Sequence, residues 1–232
     1  MIQDPTDQYI AAIMSRCDLG GKDLLEIGCG KGRITRDLAK HAARVVACDP
    51  DAGALETARA ANYADNVQFV HAPTGMPDFP AGTFDLVIYT LSLHHVPVAE
   101  MSGSLRMAAR LLRKDGSIVV IEPGDGGSFT EAKERFGAGS GDERPAKEEA
   151  VRAMHLLDGW KVGETVSFRT LFRFTDDEDF FVSMLPDYRQ QPESFLREVR
   201  AFLDRHRTGD GIILDADRRL NVLRLFAQRE QQ

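Results

Sequence analysis

The sequence predicts an α/β fold of the doubly wound kind: a mostly parallel, seven-stranded sheet with helices on both faces and a small helical cap. Three observations predict it. From Gly20 to about Pro123, short apolar runs alternate with helically periodic segments, the pattern of crossover units feeding a parallel sheet. The first run ends in a glycine-rich turn that opens a helix. A chain of 232 residues that is 43% hydrophobic can bury one sizeable core.

The expected parallel strands are Asp23 to Gly28, Arg44 to Asp49, Val67 to Ala72, Phe84 to Thr90 and Ser117 to Glu122. Between them, Ala52 to Ala61 and Met101 to Leu112 place alanine and leucine at helical spacing, and Lys114-Asp115-Gly116 reads as a helix stop and turn. A short N-terminal helix starts near Asp7 and carries Tyr9. The glycine-rich stretch from about 124 to 145 reads as a mobile loop, with a capping box, Ser128 to Glu131, that can open a short helix. Pro145 opens a helix to about Leu157, assigned to the cap. Val166 to Phe174 alternates apolar and polar residues, as an edge strand does. Thr175 with Glu178 forms a second capping box, Pro192 opens another helix, and Leu220 to Phe226 reads as the last strand. The chain, 1–232, is expected to be one domain: a core of about 20–125, the loop, and the cap with the sheet edge after about 145.

A net charge of −7 opposes a broad phosphate-binding face, so nucleic acid is not expected as a partner. Three irregularly spaced cysteines make neither a disulfide framework nor a zinc cluster, and no metal site is expected. No segment has the length of apolar run that spans a membrane, and the N-terminus lacks a signal pattern, so a soluble, cytoplasmic protein is expected.

The chemistry concentrates in Leu24-Leu25-Glu26-Ile27-Gly28-Cys29-Gly30-Lys31-Gly32. Glycines let the backbone turn sharply and approach a ligand closely, but dinucleotide enzymes place a glycine-rich turn at the same point. Here the glycines alternate, and Glu26 lies two positions before the first. A carboxylate there suits a ligand with a cationic amino group and repels a pyrophosphate. The second strand ends in Val45-Val46-Ala47-Cys48-Asp49, where an acid can accept both hydroxyls of a ribose; Asp51 is then the cap of the following helix. Leu93-His94-His95-Val96 follows the fourth strand at the same rim, and His94 is a candidate general base, although a strand-end histidine often only hydrogen-bonds the backbone. Glu122, at the end of the fifth strand, either contacts a substrate or simply ends the strand.

Taken together, LLEIGCGKG, VVACDPD, FDLVIYTLSLHHV and LLRKDGSIVVIEP resemble a class I S-adenosylmethionine-dependent methyltransferase, most of all the small-molecule type 11 group. The resemblance covers about 20–125 and implies a Rossmann-like sheet, S-adenosylmethionine as cofactor and S-adenosylhomocysteine as product. It further implies cofactor-binding roles for Glu26, Gly28, Cys29, Gly30, Gly32, Asp49, Pro50, Ala72, Pro73 and Leu91. The run His71-Ala72-Pro73-Thr74 departs from relatives that carry an aspartate for the adenine amino group, leaving Asp51, Ala52 and Met76 as possible walls.

The expected reaction is in-line methyl transfer to an oxygen, nitrogen or carbon of a small-molecule acceptor, by a monomer or homodimer. Two rivals stand beside it: a cofactor-binding module that does not methylate, and a nicotinamide-dependent oxidoreductase sharing the sheet and crevice.

Overall fold

The computed structural model describes residues 1–61, 64–139 and 143–226. Along the chain the elements are β1 (Ile2–Gln3), α1 (Gln8–Met14), β2 (Asp23–Ile27), α2 (Arg33–Ala39), β3 (Arg44–Asp49), α3 (Ala52–Ala61), β4 (Val67–His71), β5 (Phe84–Thr90), α4 (Val98–Leu111) and β6 (Leu112–Pro123). There follow α5 (Ser128–Phe136), α6 (Arg144–His155), β7 (Trp160–Val162), β8 (Val166–Phe174), α7 (Asp177–Met184), α8 (Glu193–Asp204), β9 (Arg207–Thr208) and β10 (Gly211–Leu225). The chain divides into two compact units.

The larger unit comprises Tyr9–Glu122, Pro145–Val166 and the chain from Arg219 onward. Its strands run in the order β4, β3, β2, β5, β6, followed by the end of β10, against which β7 pairs antiparallel. The pairs β2–β3, β2–β5, β3–β4 and β5–β6 are all parallel. The mostly parallel order is the expected one, although β7 is not among the seven expected strands and β8 falls in the smaller unit; it follows from strands such as LLEI and VVAC, buried on both faces because helices cover them and apolar except at Glu26. On one face Leu25, Val46, Val87, Ile118 and Val120 pack with Met101, Leu105 and Ala108 of α4 and with Ala150, Ala153 and Met154 of α6. On the other, Ala47 packs with Leu55 of α3 and with Phe69.

Two expectations change here. The helix opened at Pro145 belongs to the core of the sheet unit and not to a cap, because its alanine and methionine face is consumed by the sheet. Lys114-Asp115-Gly116 is no separate turn after a helix: β6 begins at Leu112, and the residues to Gly116 form an irregularity in its ladder, where Phe84 pairs with Leu112 but Leu86 with Ser117.

The smaller unit comprises Met1–Gln8, Pro123–Arg144 and Ser167–Arg218. In it β8 lies between β1 and the first part of β10, so it is an interior strand and not an edge. Phe172 and Phe174 of β8 and Ile212, Leu214 and Ala216 of β10 form its core with Phe129, Ala132 and Phe136 of α5 and with Phe180, Val199 and Phe202 of α7 and α8. β10 starts nine residues before the expected last strand because Ile212, Leu214 and Ala216 alternate with residues less deeply buried.

The stretch expected to be a mobile loop contains the ordered α5, held by three buried residues with aromatic or methyl side chains; the part at 140–142 lies outside the described residues. Ser128 does not act as its cap, since its hydroxyl donates to Asp215 at 2.6 Å and Gly127 takes the cap position. The second capping box is displaced by one residue: Asp176 accepts from the Asp179 backbone N–H at 2.9 Å, and Asp179 accepts from that of Thr175. A one-carbon carboxylate reaches the orphan amide as well as the threonine hydroxyl does.

Candidate active site

Register brings the sequence-predicted residues to one rim of the larger unit. Ile27 pairs with Cys48 on one side and with Tyr89 on the other, which places Gly28, Asp49 and Thr90 level at the carboxyl ends of three adjacent strands. Thr90 pairs with Ile121, so Glu122 stands one step beyond. The carboxyl ends of parallel strands are where open α/β sheets receive ligands.

The turn between β2 and α2 has left-handed backbone at Gly28, Gly30 and Gly32, with φ of 73°, 53° and 73°. A β-carbon on Gly28 would lie 2.5 Å from the Cβ of Ser92, whereas one on Gly30 would meet nothing within 4 Å. Gly28 is thus required by the protein itself, while Gly30 leaves open space above the crown of the turn. The backbone amides of Gly28 and Cys29 both donate to the Cys48 carbonyl, at 2.8 and 3.0 Å, and fasten the turn to β3.

Asp49 is buried and holds both loops of the rim: one carboxylate oxygen accepts from the Gly30 amide at 2.7 Å, the other from the Asp51 amide at 2.9 Å. Each oxygen retains a further lone pair for a ligand hydroxyl. Asp51 caps α3, accepting from the amides of Gly53 and Ala54 at 2.8 and 3.1 Å, as its position predicted. Pro50 is exposed beside it, and its carbonyl meets His71 Nε2 at 3.0 Å.

Glu26 lies deeper than its sequence position suggested. It is 1% exposed, and its carboxylate accepts from the Thr35 hydroxyl at 2.5 Å. Burial pushes its carboxyl up to about 7; the Thr35 hydrogen bond and Arg33 oppose the shift, and Asp49 adds to it. The neighbouring thiols respond in the same sense: burial pushes Cys48 up to about 12 and Cys29 also upward, so both stay protonated. Thr35 is a site residue that sequence reasoning missed; a threonine inside a helix gives no signal until the helix is seen to pass the strand end.

Ala72 is buried in the core and its amide is spent on the Asp49 carbonyl at 3.0 Å, leaving Pro73 exposed at the rim. Met76 packs against the same core, and the Tyr89 hydroxyl, within reach of Met76 Sδ, pairs with Ser104 at 2.7 Å. Tyr9 is fully buried beneath the Arg33 guanidinium, 4.9 Å from its ring centroid, and serves packing.

After β5, Leu91 adopts φ 57°, a left-handed conformation that costs a branched residue about 1–3 kcal/mol. Ser92 donates to the Ile27 carbonyl at 2.5 Å and ties this loop to the glycine turn. His94 is buried and its Nδ1 lies 2.5 Å from a carboxylate oxygen of Glu122, while His95 is exposed with its ring centroid 4.1 Å from that of His94. Sequence reasoning named both residues of the His94–Glu122 pair but not the contact, since 28 positions separate them.

Residues 25–120 match the family model of a methyltransferase domain. The chain is 31% identical over 109 residues to a ubiquinone biosynthesis O-methyltransferase of Xanthomonas oryzae, covering 46% of this chain and 45% of that protein. It is 27% identical over 113 residues to an uncharacterized methyltransferase of Mycobacterium tuberculosis, covering 49% and 56%. The matches therefore span about half the length of these curated relatives. Among solved structures, a candidate methyltransferase of Bacillus halodurans superposes with a TM-score of 0.62 at 17% identity, covering 94% of this chain and 98% of that one. The [4+2]-cyclase SpnF superposes with a TM-score of 0.61, also at 17% identity, covering 96% and 82%. At that identity the likeness shows the fold alone. Among the described residues no helix is long and apolar enough to cross a membrane.

Proposed function

Because the chain carries a class I S-adenosylmethionine-dependent methyltransferase domain, we propose that it transfers the methyl group of S-adenosylmethionine to an oxygen, nitrogen or carbon of a small-molecule acceptor and releases S-adenosylhomocysteine. The observation that carries the reading is the glycine turn, whose open crown at Gly30 is pinned by the Asp49 carboxylate at the ligand-receiving rim.

The residues present fit the cofactor. Gly28, Gly30 and Gly32, with the buried Cys29, offer a backbone surface without obstructing side chains, and Leu91, just after the adjacent strand, would border the reacting end. Asp49 has lone pairs that would accept from the ribose hydroxyls, with Pro50 beside it, and the Ala72–Pro73 corner would border the adenine. Buried Glu26 acts from beneath: it fixes α2 through Thr35 and, when ionised, biases the turn toward the cationic amino acid end of the ligand. Bound S-adenosylmethionine supplies a methyl group on a positively charged sulfur, which is already a good leaving group. The chain's task is then to position the acceptor, exclude water and take up a proton, the last assigned to His94. The buried cysteines Cys17, Cys29 and Cys48 are unpaired, which suits the cytoplasm, where we place the protein as a monomer or homodimer.

The test is transfer of isotopic methyl from S-adenosylmethionine to a panel of hydroxylated, aminated and carbon-nucleophile small molecules, read by mass spectrometry. A labelled product absent with Gly30→Trp supports the reading; cofactor binding with no transfer to any acceptor favours a second one. In that reading the domain binds the cofactor without methylating, and the likeness to a cyclase of the same fold motivates it. A nicotinamide oxidoreductase is disfavoured by the buried acid below the turn, which would repel a pyrophosphate.

A further inference from the structure

Among the described residues, two buried side-chain oxygens have no hydrogen-bond partner: Thr90 Oγ1 and Glu122 Oε1. Both stand at the carboxyl ends of neighbouring parallel strands, one step apart in register. An unpaired buried polar atom costs about 1–3 kcal/mol, and such groups in a native fold call for a reason. Beside them are the strained backbone at Leu91 and the His94–Glu122 contact at 2.5 Å. Strain and unmet hydrogen-bonding capacity concentrated in one loop and two strand ends are the marks of a site that a ligand completes.

We propose that Thr90, Glu122 and His94 form the acceptor-side proton site and that the acceptor is a hydroxyl-bearing small molecule. The proposal rests on the methyl-transfer reading and deepens it. A carboxylate only accepts, so His94 Nδ1 carries the proton of the short contact and Nε2 is the basic nitrogen. Glu122 thus has two roles: through Oε2 it positions His94, selecting the tautomer and stabilising the imidazolium, and its Oε1 faces the acceptor. Thr90 Oγ1 and Glu122 Oε1 receive the hydrogen-bonding groups of the incoming acceptor. In the transfer step, the proton of the acceptor hydroxyl passes to His94 Nε2 and the oxygen lone pair forms the bond to methyl carbon. The carbon–sulfur electron pair goes to sulfur, leaving a neutral thioether, and the proton later leaves His94 for solvent.

The test uses the whole chain with 15N-labelled histidine, His94→Gln identifying the His94 signals, and 4-nitrophenol as a probe that turns yellow on ionisation. We expect long-range 1H–15N spectra to show His94 protonated on Nδ1, and Glu122→Gln to change that tautomer pattern. With S-adenosylhomocysteine present, 4-nitrophenol is expected to bind as the yellow phenolate to the wild type; His94→Gln loses that shift, and Thr90→Val weakens binding about tenfold. A proton on Nε2, spectra unchanged by Glu122→Gln, or no yellow shift with the wild type would overturn the proposal. Should Glu122→Gln fail to fold, the absorbance comparison with His94→Gln decides. S-adenosylhomocysteine binding is measured in parallel: its loss in the wild type sinks the methyl-transfer reading, and the histidine spectra then still report whether the pair is organised as described.

Discussion

The Glu26 carboxyl is the group whose replacement gives the sharpest account of how this site is built. In the fold it titrates near pH 7 against an ordinary value of 4.5, because it is buried at the end of β2 with one hydrogen bond from Thr35. At 1.36 kcal/mol per unit, holding it ionised costs the folded state about 3 kcal/mol. The folded state therefore binds this proton more tightly than the unfolded one. Its contribution to stability is complete below pH 4.5, falls as pH rises toward 7, and is absent above that. Glu26→Gln keeps an oxygen to accept from Thr35 and removes the titration. Urea unfolding from pH 5 to pH 8 should then show the difference between variant and wild type moving in favour of the variant by about 3 kcal/mol, nearly all of it by pH 8. Parallel stability curves across that range would refute the argument, since they would mean the carboxyl is either solvated or fully compensated.

Three further outcomes follow from the same geometry. Gly28→Ala would push a β-carbon to 2.5 Å from Ser92 Cβ at φ 73°, so a destabilisation of about 2–4 kcal/mol is expected in thermal melts, with Ser92→Gly restoring part of it; a double-mutant cycle with no coupling would contradict the clash. Gly30→Ala adds a methyl to open space at φ 53°, so it should cost only about 1 kcal/mol of stability while weakening S-adenosylhomocysteine about tenfold or more; an unaltered affinity in calorimetry would place the ligand elsewhere. Asp49→Asn keeps the shape and loses two charge-assisted hydrogen bonds to Gly30 and Asp51, with an expected loss of about 10²-fold in cofactor affinity; wild-type affinity would remove Asp49 from the site.

The parallel sheet was legible because its strands carry short apolar runs such as Val45-Val46-Ala47 and Leu86-Val87-Ile88 and several of its turns are punctuated by glycine and acid, signals that need no tertiary context. The end of β10 was legible for the same reason, but its beginning was not: in Ile212-Ile213-Leu214-Asp215 the alternation is blurred by Ile213. The smaller unit was hidden by glycines at 124, 126 and 127 that suggested mobility. They serve instead to let this segment press against β10, where β-carbons would fall 2.4–2.7 Å from Asp215 and Asp217. Of the site, Gly28, Gly30 and Asp49 could be read from spacing, because backbone turns leave their mark in consecutive residues. Thr35, Thr90 and the His94–Glu122 contact could not, because polar pairing between separate strand ends has no periodicity.

The central claim is that the rim formed by Gly28, Gly30 and Asp49 binds S-adenosylmethionine and its product. Calorimetric titration of the purified chain with S-adenosylhomocysteine, with NADH as the parallel ligand and Asp49→Asn as the parallel protein, tests it most directly. The account predicts about micromolar binding of S-adenosylhomocysteine by the wild type alone, a free energy near −8 kcal/mol. Binding of NADH in its place, or of neither ligand, would contradict it.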